Sequence, residues 1–323
     1  MNQTLHLGLL GRDIQHSLSP SLQSINGELA RINIKYSLLD LSLRETESLL
    51  ASNGEVGSIL ALDVARSELH PIYHGLNVTT PYKERAYRAA LELTPQAQTL
   101  KAVNTIRWRD GHLIGHNTDS DGVLMSFGEL GLDQGCERAV VFGTGGASRA
   151  VAYALAKIRC QSIIWISRDR ERGEHCLEWC ASVSPRLQVA WICADDPDIM
   201  SVLRGSTVVR LNREEIRALE WGSVEVVISG APPLSKDQWA TLEERLSPSL
   251  GRRFGLQEGG GLIDLNYGED RTFGLRSHAQ KTLCHYEDGL RMLVGQGISS
   301  FQWWTGVKID FKSAWSSLCE VIK

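Results

Sequence analysis

The chain lacks long apolar runs and strong net charge, and each absence argues against a class of protein. No apolar stretch approaches the roughly 18 residues that a membrane-spanning helix needs. The net charge is only -4 over 323 residues, which argues against a general binder of nucleic acid or anionic membranes. No basic segment precedes an apolar run at the N-terminus, so no signal peptide is predicted. We therefore expect a cytoplasmic protein with a small-molecule substrate, and oligomeric state (monomer or homodimer) stays open.

Cysteine spacing removes two further possibilities. The 7 cysteines are odd in number and none stands in C-x-x-C spacing, which is typical of reduced thiols rather than of a disulfide framework. Cys176 and Cys180 could share a helix face with His175, but a structural zinc usually needs four suitable ligands and the others are missing. No metal site is predicted.

Strand-like and helix-like segments alternate, which indicates an α/β fold. A helix is predicted to begin at Ser19, as its cap, and Pro20. Another helix is predicted over residues 119–130, and the end of the chain, 289–322, is helical in pattern. The stretch 247–261, rich in Gly and Arg, is predicted to be a loop. Strands are predicted at 5–11, 34–41, 75–79, 103–108, 112–114 (a hairpin with the previous strand), 139–142, 162–167, 189–192, 224–229 and 262–265.

A glycine-rich turn follows the apolar strand at 139–142 and precedes a helical segment. Gly143 permits a tight turn, Gly145 lets the backbone approach a pyrophosphate, and a small residue at Ser148 permits close helix packing. Gly146 and Ala147 of the same turn are also expected to contact the cofactor. The free N–H groups of a helix N-terminus favour an anion. This order of strand, glycines and helix predicts a dinucleotide-binding turn.

The end of the next strand bears on which dinucleotide binds. An NAD enzyme typically has an acid there for the ribose 2'-hydroxyl, whereas this chain has Ser167 followed by Arg168 and, further on, Arg172. Arginine can pair with a 2'-phosphate, so NADP is favoured. Asp169 could serve a 2'-hydroxyl instead, and NAD therefore stays possible.

Several polar motifs resemble, in order and spacing, those of the shikimate dehydrogenase family. The resemblance covers about residues 5–310. The matching stretches are Ser17-Leu18-Ser19-Pro20, Asn77-Val78-Thr79-Thr80-Pro81-Tyr82-Lys83, Ala102-Val103-Asn104-Thr105, Gly115-His116-Asn117-Thr118-Asp119, the glycine turn Gly143–Ala150, Asp264-Leu265-Asn266-Tyr267, and Gly289-Leu290-Arg291-Met292-Leu293-Val294-Gly295-Gln296.

The resemblance implies two domains: an N-terminal α/β substrate domain and a Rossmann-type nucleotide-binding domain. The first is expected over 1–118, completed by helices within 289–323, and the second over 119–288. It implies NADP-dependent reduction of 3-dehydroshikimate to shikimate, in aromatic amino acid biosynthesis. Lys83 and Asp119 would be the catalytic pair. The residues expected to hold substrate are Ser17, Ser19, Thr79, Asn104, Tyr267 and Gln296.

An acid–base group is needed because hydride transfer between an alcohol and a ketone also moves a proton. Burial would disfavour the Lys83 ammonium, and a neighbouring Asp119 carboxylate would favour it. Sequence leaves open whether Lys83 shuttles the proton or mainly stabilises charge on oxygen while Asp119 orients it.

Three departures from the family pattern fall on the cofactor side. The family's N-A-T-P stretch is Ser229-Gly230-Ala231-Pro232-Pro233 here, with Ser229 as the expected cofactor contact. Its N-R-T stretch is Ser167-Arg168-Asp169, and a glycine of its late motif is Arg291. Arg291 could narrow the site, contact a substrate carboxylate or point to solvent. A dehydrogenase of quinate or an aminoshikimate, and a non-catalytic ligand sensor, are the alternative functions.

Overall fold

The chain divides into two compact units in a computed structural model. The first unit comprises Met1–Gly122 and Leu293–Lys323, and the second comprises Val123–Met292. The expected domain limits at residues 118 and 288 stay predictions. The structure describes residues 4–51, 73–195, 200–204, 207–211, 214–215, 224–230, 256–268, 276–277, 280 and 285–322.

Strands and helices alternate through the first unit, as the sequence pattern predicts. Two helices lie across the limits of the units: α5 (Asp119–Glu129), which begins in the first unit, and α8 (Leu290–Thr305), which ends in it. The elements are β1 (Leu5–Gly11), α1 (Ser19–Ala30), β2 (Ile34–Asp40), α2 (Leu43–Ala51), β3 (Gly75–Val78), α3 (Lys83–Ala89), β4 (Glu92–Leu93), α4 (Pro95–Leu100), β5 (Thr105–Arg109), β6 (His112–His116), α5 (Asp119–Glu129), α8 (Leu290–Thr305) and α9 (Phe311–Val321).

The sheet of the first unit has the strand order β2-β1-β3-β5-β6-β4. Strands β1, β2 and β3 are parallel, whereas β5 is antiparallel to both β3 and β6. The carboxyl ends of β1, β3 and β6 and the start of β5 therefore meet at one edge. The predicted hairpin between β5 and β6 is confirmed: its two-residue turn, Asp110-Gly111, has positive φ at both positions, as a type I′ turn requires.

The C-terminal helices pack onto the first unit. Leu22 and Ile25 of α1 form a buried cluster with Val294 and Ile298 of α8 and with residues of α9. Trp304 fixes the end of α8, because its indole N–H donates to the carbonyl oxygen of Ile106 at 3.0 Å.

The start of α1 differs slightly from the prediction. Ser19 is the first helical residue and Leu18 precedes it as the cap, without a side-chain hydrogen bond. The hydroxyl of Ser17 accepts instead from the backbone N–H of Ser19 at 3.2 Å. Ser17 thus accepts from one of the first-turn N–H groups that have no partner within the helix. Residue-type preference alone predicted this capping role for Ser19.

The second unit contains a second alternation of strands and helices. Its described elements are β7 (Arg138–Phe142), α6 (Gly146–Lys157), β8 (Ser162–Ser167), α7 (Arg170–Val183), β9 (Gln188–Cys193), β10 (Met200–Arg204), β11 (Thr207–Leu211), β12 (Val224–Ser229), β13 (Leu256–Asp264) and β14 (His285–Glu287). Among the residues described in both units, no helix has the length and apolar character needed to cross a membrane.

The second sheet has the order β11-β10-β9-β8-β7-β12-β13-β14. The six neighbouring strands β9, β8, β7, β12, β13 and β14 are all parallel. Numbered among themselves along the chain, these strands follow the order 3-2-1-4-5-6 of a Rossmann fold, whose ligand crevice lies where the order reverses, between β7 and β12. The antiparallel strands β10 and β11 extend the sheet and were not predicted.

The expected loop over 247–261 is wrong for its last part. Strand β13 already begins at Leu256, before the predicted start at 262, and the pairing with β12 shifts register between Val224 and Val226. Ladder hydrogen bonds from β12 offset the poor strand propensity of the glycines there. Residues 247–255 lie outside the described part of the chain.

Candidate functional site

Four of the predicted polar motifs lie at one edge of the first sheet. Ser17 follows β1, Thr79 and Lys83 follow β3, Asn104 directly precedes β5, and Asp119 follows β6. The strand directions explain this grouping, because the ends of parallel strands and the start of an antiparallel one share an edge. Segments far apart in the chain thereby contribute side chains to one place.

Lys83 and Asp119 form a close ion pair at this edge. Lys83 Nζ lies 2.6 Å from Asp119 Oδ2, and the side chains are 19% and 5% exposed. Each residue is the first of a helix, α3 and α5 respectively. The partial positive charge at the start of α5 favours the Asp119 carboxylate. The pair thus presents a partly accessible ammonium, which can donate a proton, held by a buried carboxylate.

Two asparagines hold Asp119 in place. Asn104 Nδ2 donates to Asp119 Oδ1 at 2.8 Å. Asn117 Oδ1 accepts from the backbone N–H of Asp119 at 2.9 Å, and Asn117 Nδ2 donates to the carbonyl of Ala102. Side chain and backbone of Asp119 are therefore both constrained.

A layer of buried polar side chains lies beneath Asn104, and its central residue, Ser300 of α8, was missed from the sequence. Ser300 Oγ accepts from Asn77 Nδ2 at 2.8 Å and lies 3.0 Å and 3.1 Å from the hydroxyls of Thr105 and Thr118. It is fully buried. The available signal was its position four residues after Gln296, on the same helix face.

The remaining predicted substrate residues have no hydrogen bond to the ion pair within the described chain. Ser17 and Thr79 are half-buried at the same edge, and Ser19 is buried in α1. Gln296 belongs to the first unit, where its Nε2 donates to the carbonyl of Leu293 at 3.0 Å. Tyr267 is half-buried in the second unit, after β13.

His116, at the end of β6, belongs to the same motif as Asp119 and has a lowered pKa. Its Nδ1 lies 2.8 Å from the hydroxyl of Thr94, and its ring stacks on Trp303 at 5.3 Å between centroids. Burial first, and then the positive charge of Arg107, lower the pKa of His116 from 6.5 to about 4. His116 is therefore neutral near pH 7.

Asp121 is a second carboxyl group close to Asp119 in sequence. Burial raises the pKa of Asp121, a hydrogen bond from Gln96 opposes this, and the charge of Asp119 adds to the rise. Gln96 Nε2 donates to both Ser120 Oγ (2.6 Å) and Asp121 Oδ1 (2.8 Å). This contact ties α4 to the first turn of α5.

The predicted dinucleotide turn lies at the crevice of the second sheet. Gly143 follows β7 with a φ of 91°, a conformation that favours glycine. Gly145 is exposed and caps α6, and a Cβ built on it would meet nothing within 4 Å. Ser148 is buried, and its hydroxyl donates to the carbonyl of Phe142 at 3.2 Å. Open space above Gly145 and the first-turn N–H groups of α6 fit an approaching pyrophosphate.

The two cysteines of α7 are buried thiols. Burial raises the pKa of Cys176 to about 12 and raises the pKa of Cys180 as well. No group of three or more His, Cys, Asp or Glu side chains among the described residues could hold a metal ion.

Two family models match parts of this chain that belong to the first unit or adjoin it. The shikimate dehydrogenase substrate binding domain matches residues 9–106, and the shikimate 5'-dehydrogenase C-terminal domain matches residues 289–318. An NADP+ shikimate dehydrogenase of Moorella thermoacetica is 31% identical over 93% of this chain and 88% of its own. The chain belongs to the shikimate dehydrogenase family.

Other members of the family agree in sequence and in fold. The NADP+ shikimate dehydrogenase of Syntrophomonas wolfei is 35% identical over 58% of this chain and 59% of its own. Shikimate 5-dehydrogenase from Thermus thermophilus, solved with NADP(H) and shikimate, has a TM-score of 0.68 and 24% identity, and the alignment covers 98% of this chain and 99% of that one. The fold is thus the family's: an N-terminal substrate-binding domain and a nucleotide-binding domain.

The first departure from the shikimate dehydrogenase pattern, at β8, is a packed arrangement. Ser167 Oγ accepts from Trp191 Nε1 at 2.9 Å and donates to the carbonyl of Asp169. Asp169 caps α7, since its Oδ1 accepts from the backbone N–H of Arg172 at 3.0 Å and its Oδ2 lies 3.4 Å from Arg172 Nε. Arg168 is exposed, and no carboxylate of the described chain pairs with it.

The second departure, after β12, brings the backbone close to the glycine turn. A Cβ on Gly230 would lie 2.5 Å from Ser148 Oγ and 3.0 Å from its backbone nitrogen. Glycine at 230 therefore permits direct packing of this turn on α6. Ser229 is buried at the end of β12, and residues 231–233 lie outside the described chain.

The third departure, Arg291, is part of an ion pair. Its Nε donates to Glu287 Oε2 at 3.2 Å, and the two side chains are 20% and 19% exposed. Of the three alternatives for Arg291, a side chain that simply points to solvent is therefore wrong. The carboxylate of Glu287, four residues earlier in the chain, holds the guanidinium of Arg291.

Proposed function

We propose that this chain catalyses the reversible, NADP-dependent reduction of 3-dehydroshikimate to shikimate. The observation that carries the proposal is the Lys83–Asp119 ion pair, in which the two side chains lie 2.6 Å apart. The pair lies at the edge of the first sheet where four of the family motifs meet. A partly accessible ammonium beside a buried carboxylate suits a reaction that moves a proton together with a hydride.

The pair would act on the carbonyl oxygen of the substrate. NADPH, when bound, supplies the hydride to the carbonyl carbon. The Lys83 ammonium would donate the proton that the developing alkoxide needs, and in the oxidation direction the neutral amine would take it back. The Asp119 carboxylate would hold the ammonium in line and favour its positive charge while negative charge builds on oxygen.

The polar residues of the family motifs would hold the rest of the substrate. We assign the six predicted residues to its hydroxyls and carboxylate, since each of these groups needs partners once desolvated. They are Ser17, Ser19, Thr79, Asn104, Tyr267 and Gln296. The substrate domain would comprise residues 1–118 with 289–323, and the nucleotide-binding domain 119–288.

The nucleotide would bind at the glycine turn. Gly143, Gly145, Gly146, Ala147 and Ser148 would surround the pyrophosphate, and Ser229 would face the cofactor from β12. Arg168 and Arg172 would meet the 2'-phosphate. The capping role of Asp169 supports NADP over NAD, because a carboxylate that accepts from its own helix is less available to a ribose 2'-hydroxyl.

A steady-state assay with two substrates and two cofactors tests the proposal. Purified protein is given shikimate or quinate with NADP+ or NAD+, and absorbance of the reduced nicotinamide is followed. We expect the highest kcat/KM with shikimate and NADP+. Preference for quinate would indicate a quinate dehydrogenase, and shikimate binding without turnover in any combination would indicate a ligand sensor.

Size-exclusion chromatography tests the expected monomer or homodimer, and cell fractionation tests the expected cytoplasmic location.

The variant Lys83→Ala tests the proton-transfer role. Loss of a positioned acid–base group should lower kcat by about 100- to 10,000-fold, with substrate KM changed less than about threefold. Lys35→Ala, which removes an exposed lysine of the same unit, is the matched control and should keep wild-type kinetics. A large rise in KM with unchanged kcat would make Lys83 a binding residue only.

A further inference from the structure

The indole of Trp165 reaches from β8 to the glycine turn of the second unit. Trp165 is fully buried, and its Nε1 donates to the carbonyl oxygen of Gly143. The ring also meets the ring of Trp179 edge-on, with 6.5 Å between centroids and 82° between planes. A buried indole N–H needs an acceptor, and the Trp179 ring limits rotation of the indole. The donor therefore has a fixed position and direction.

Strand β8 holds both polar groups of the Gly143 backbone. The N–H of Gly143 donates to the carbonyl of Ile166 at 2.9 Å, which continues the pairing of β7 with β8 by one residue. At Gly143 the φ of 91° turns the chain out of the sheet, and its carbonyl is paired with a side chain instead. Because a buried backbone carbonyl needs a donor, Trp165 supplies the hydrogen bond where the regular strand ends.

The direction of this carbonyl also sets the direction of the next N–H group. The peptide bond between Gly143 and Thr144 is trans, and in a planar trans peptide the N–H points opposite to the carbonyl. Since the carbonyl is directed at the buried indole, the N–H of Thr144 is directed away from it. None of the described residues accepts from this N–H. It is therefore available to a ligand, next in the chain to Gly145, where the space is open.

We propose that Trp165 is a positioning residue of the nucleotide site, which fixes the Gly143 carbonyl and thereby directs the N–H of Thr144 toward the pyrophosphate. The inference rests on the proposed NADP-dependent function, and it adds a residue that lies outside every motif of the family resemblance. Because Trp165 is completely buried, it acts through the turn and does not touch the nucleotide itself.

Removing the indole donor should weaken nucleotide binding. In Trp165→Phe a ring remains, but the Gly143 carbonyl loses its partner, and the peptide plane can rotate because glycine tolerates many backbone conformations. We expect the Kd for NADP+, measured by isothermal titration calorimetry on the whole protein, to rise about 3- to 10-fold, the range for one neutral hydrogen bond. Trp304→Phe is the matched control, since it removes an indole bond to the Ile106 carbonyl in the first unit; its Kd should stay within about twofold of wild type.

A truncated ligand separates an effect at the turn from general loosening of the unit. Adenosine 2'-phosphate has the adenine and the 2'-phosphate of NADP+ but no pyrophosphate, so the N–H of Thr144 has no partner on it. Its Kd should therefore stay within about twofold of wild type in Trp165→Phe. A tryptophan with a merely structural role would affect both ligands alike. Equal losses of affinity for NADP+ and adenosine 2'-phosphate would overturn the proposal.

An isosteric replacement removes the donor alone, and it decides the question if Trp165→Phe does not fold. The substitution Trp165→3-benzothienylalanine exchanges the indole N–H for sulfur and keeps the size and shape of the fused ring. Packing against Trp179 is then preserved, whereas the Gly143 carbonyl still loses its donor. We expect the same rise in the Kd for NADP+ as in Trp165→Phe. Unchanged affinity for NADP+ in this protein would contradict a role for the N–H.

Binding and turnover together keep this inference distinct from the proposed function. In steady-state assays of Trp165→Phe, the KM for NADP+ should rise by the same factor as the Kd, while the KM for shikimate stays unchanged. If the wild type turns over shikimate with NADP+ and Trp165→Phe keeps wild-type affinity for NADP+, the inference alone is refuted. Absence of NADP+ binding by the wild type would refute the proposed cofactor, and this inference with it.

Discussion

The environment of His116 predicts an acid-sensitive stability that can be measured directly. Its half-buried ring lies between the Thr94 hydroxyl and Trp303, and the guanidinium of Arg107 stands 4.4 Å from the Trp303 ring centre. Burial and the Arg107 charge lower its pKa to about 4. A protonated imidazole would have to be accommodated where both desolvation and a neighbouring cation oppose it.

The sign of the effect follows from proton uptake by the unfolded chain. Below about pH 6.5 the unfolded chain binds a proton at His116, whereas the folded protein stays neutral there until about pH 4. Stability from this group is therefore complete above pH 6.5 and is lost as pH falls toward 4. Between pH 7 and pH 5 the loss is about 1 to 2 kcal/mol, allowing for partial exposure of the ring.

Urea unfolding of wild type and His116→Phe at pH 7 and pH 5 measures this loss. Phenylalanine keeps a ring against Trp303 but cannot titrate, so the wild type should lose about 1 to 2 kcal/mol more than the variant between the two pH values. Other titrating groups contribute alike to both proteins and cancel in the difference. Equal pH dependence of the two proteins would refute the assignment of His116 as a neutral, desolvated group.

Two further predictions concern the nucleotide-binding unit. In Gly173→Ala the new Cβ would lie 2.1 Å from Trp191 Nε1, and overpacking should cost about 1 to 3 kcal/mol in urea unfolding; Gly128→Ala, with nothing within 4 Å of its Cβ, is the control and should not destabilise. Asp169→Ala removes the cap that accepts from Arg172 and should cost about 1 kcal/mol, while the ratio of kcat/KM for NADP+ to that for NAD+ stays within about twofold. A large rise in this ratio would show that Asp169 contacts the ribose instead.

Local sequence patterns predicted most of the fold and the place of the Lys83–Asp119 pair. Lys83 and Asp119 each follow a strand within a short motif, so strand directions alone place them at one edge of a sheet. Ser300 could not be found in this way, because it meets Asn77 and Thr118 across separations of 223 and 182 residues. Its role depends on how α8 packs, which residue spacing does not encode.

Residues with two possible roles were also beyond the sequence. Asp169 at a helix start suits both a cap and a ribose contact, and only its distance of 3.0 Å to the Arg172 nitrogen identifies it as a cap. The early start of β13 was missed for a related reason. Glycines at 259–261 have low strand propensity, and pairing with β12, which is a tertiary effect, overrides it.

The departures from the family pattern on the cofactor side each come with a compensating neighbour. Arg291 is paired with Glu287, and Gly230 makes room for Ser148. Replacing Arg291 alone by the family's glycine would leave the 19%-exposed Glu287 carboxylate without this ion pair, and would place a flexible residue in a helix. A Cβ restored at 230 would press on the first turn of α6, where the pyrophosphate is expected. Arg291 and Gly230 are thus each matched to a neighbouring residue, and single reversions to the family residue at these two positions should weaken this half of the chain rather than improve it.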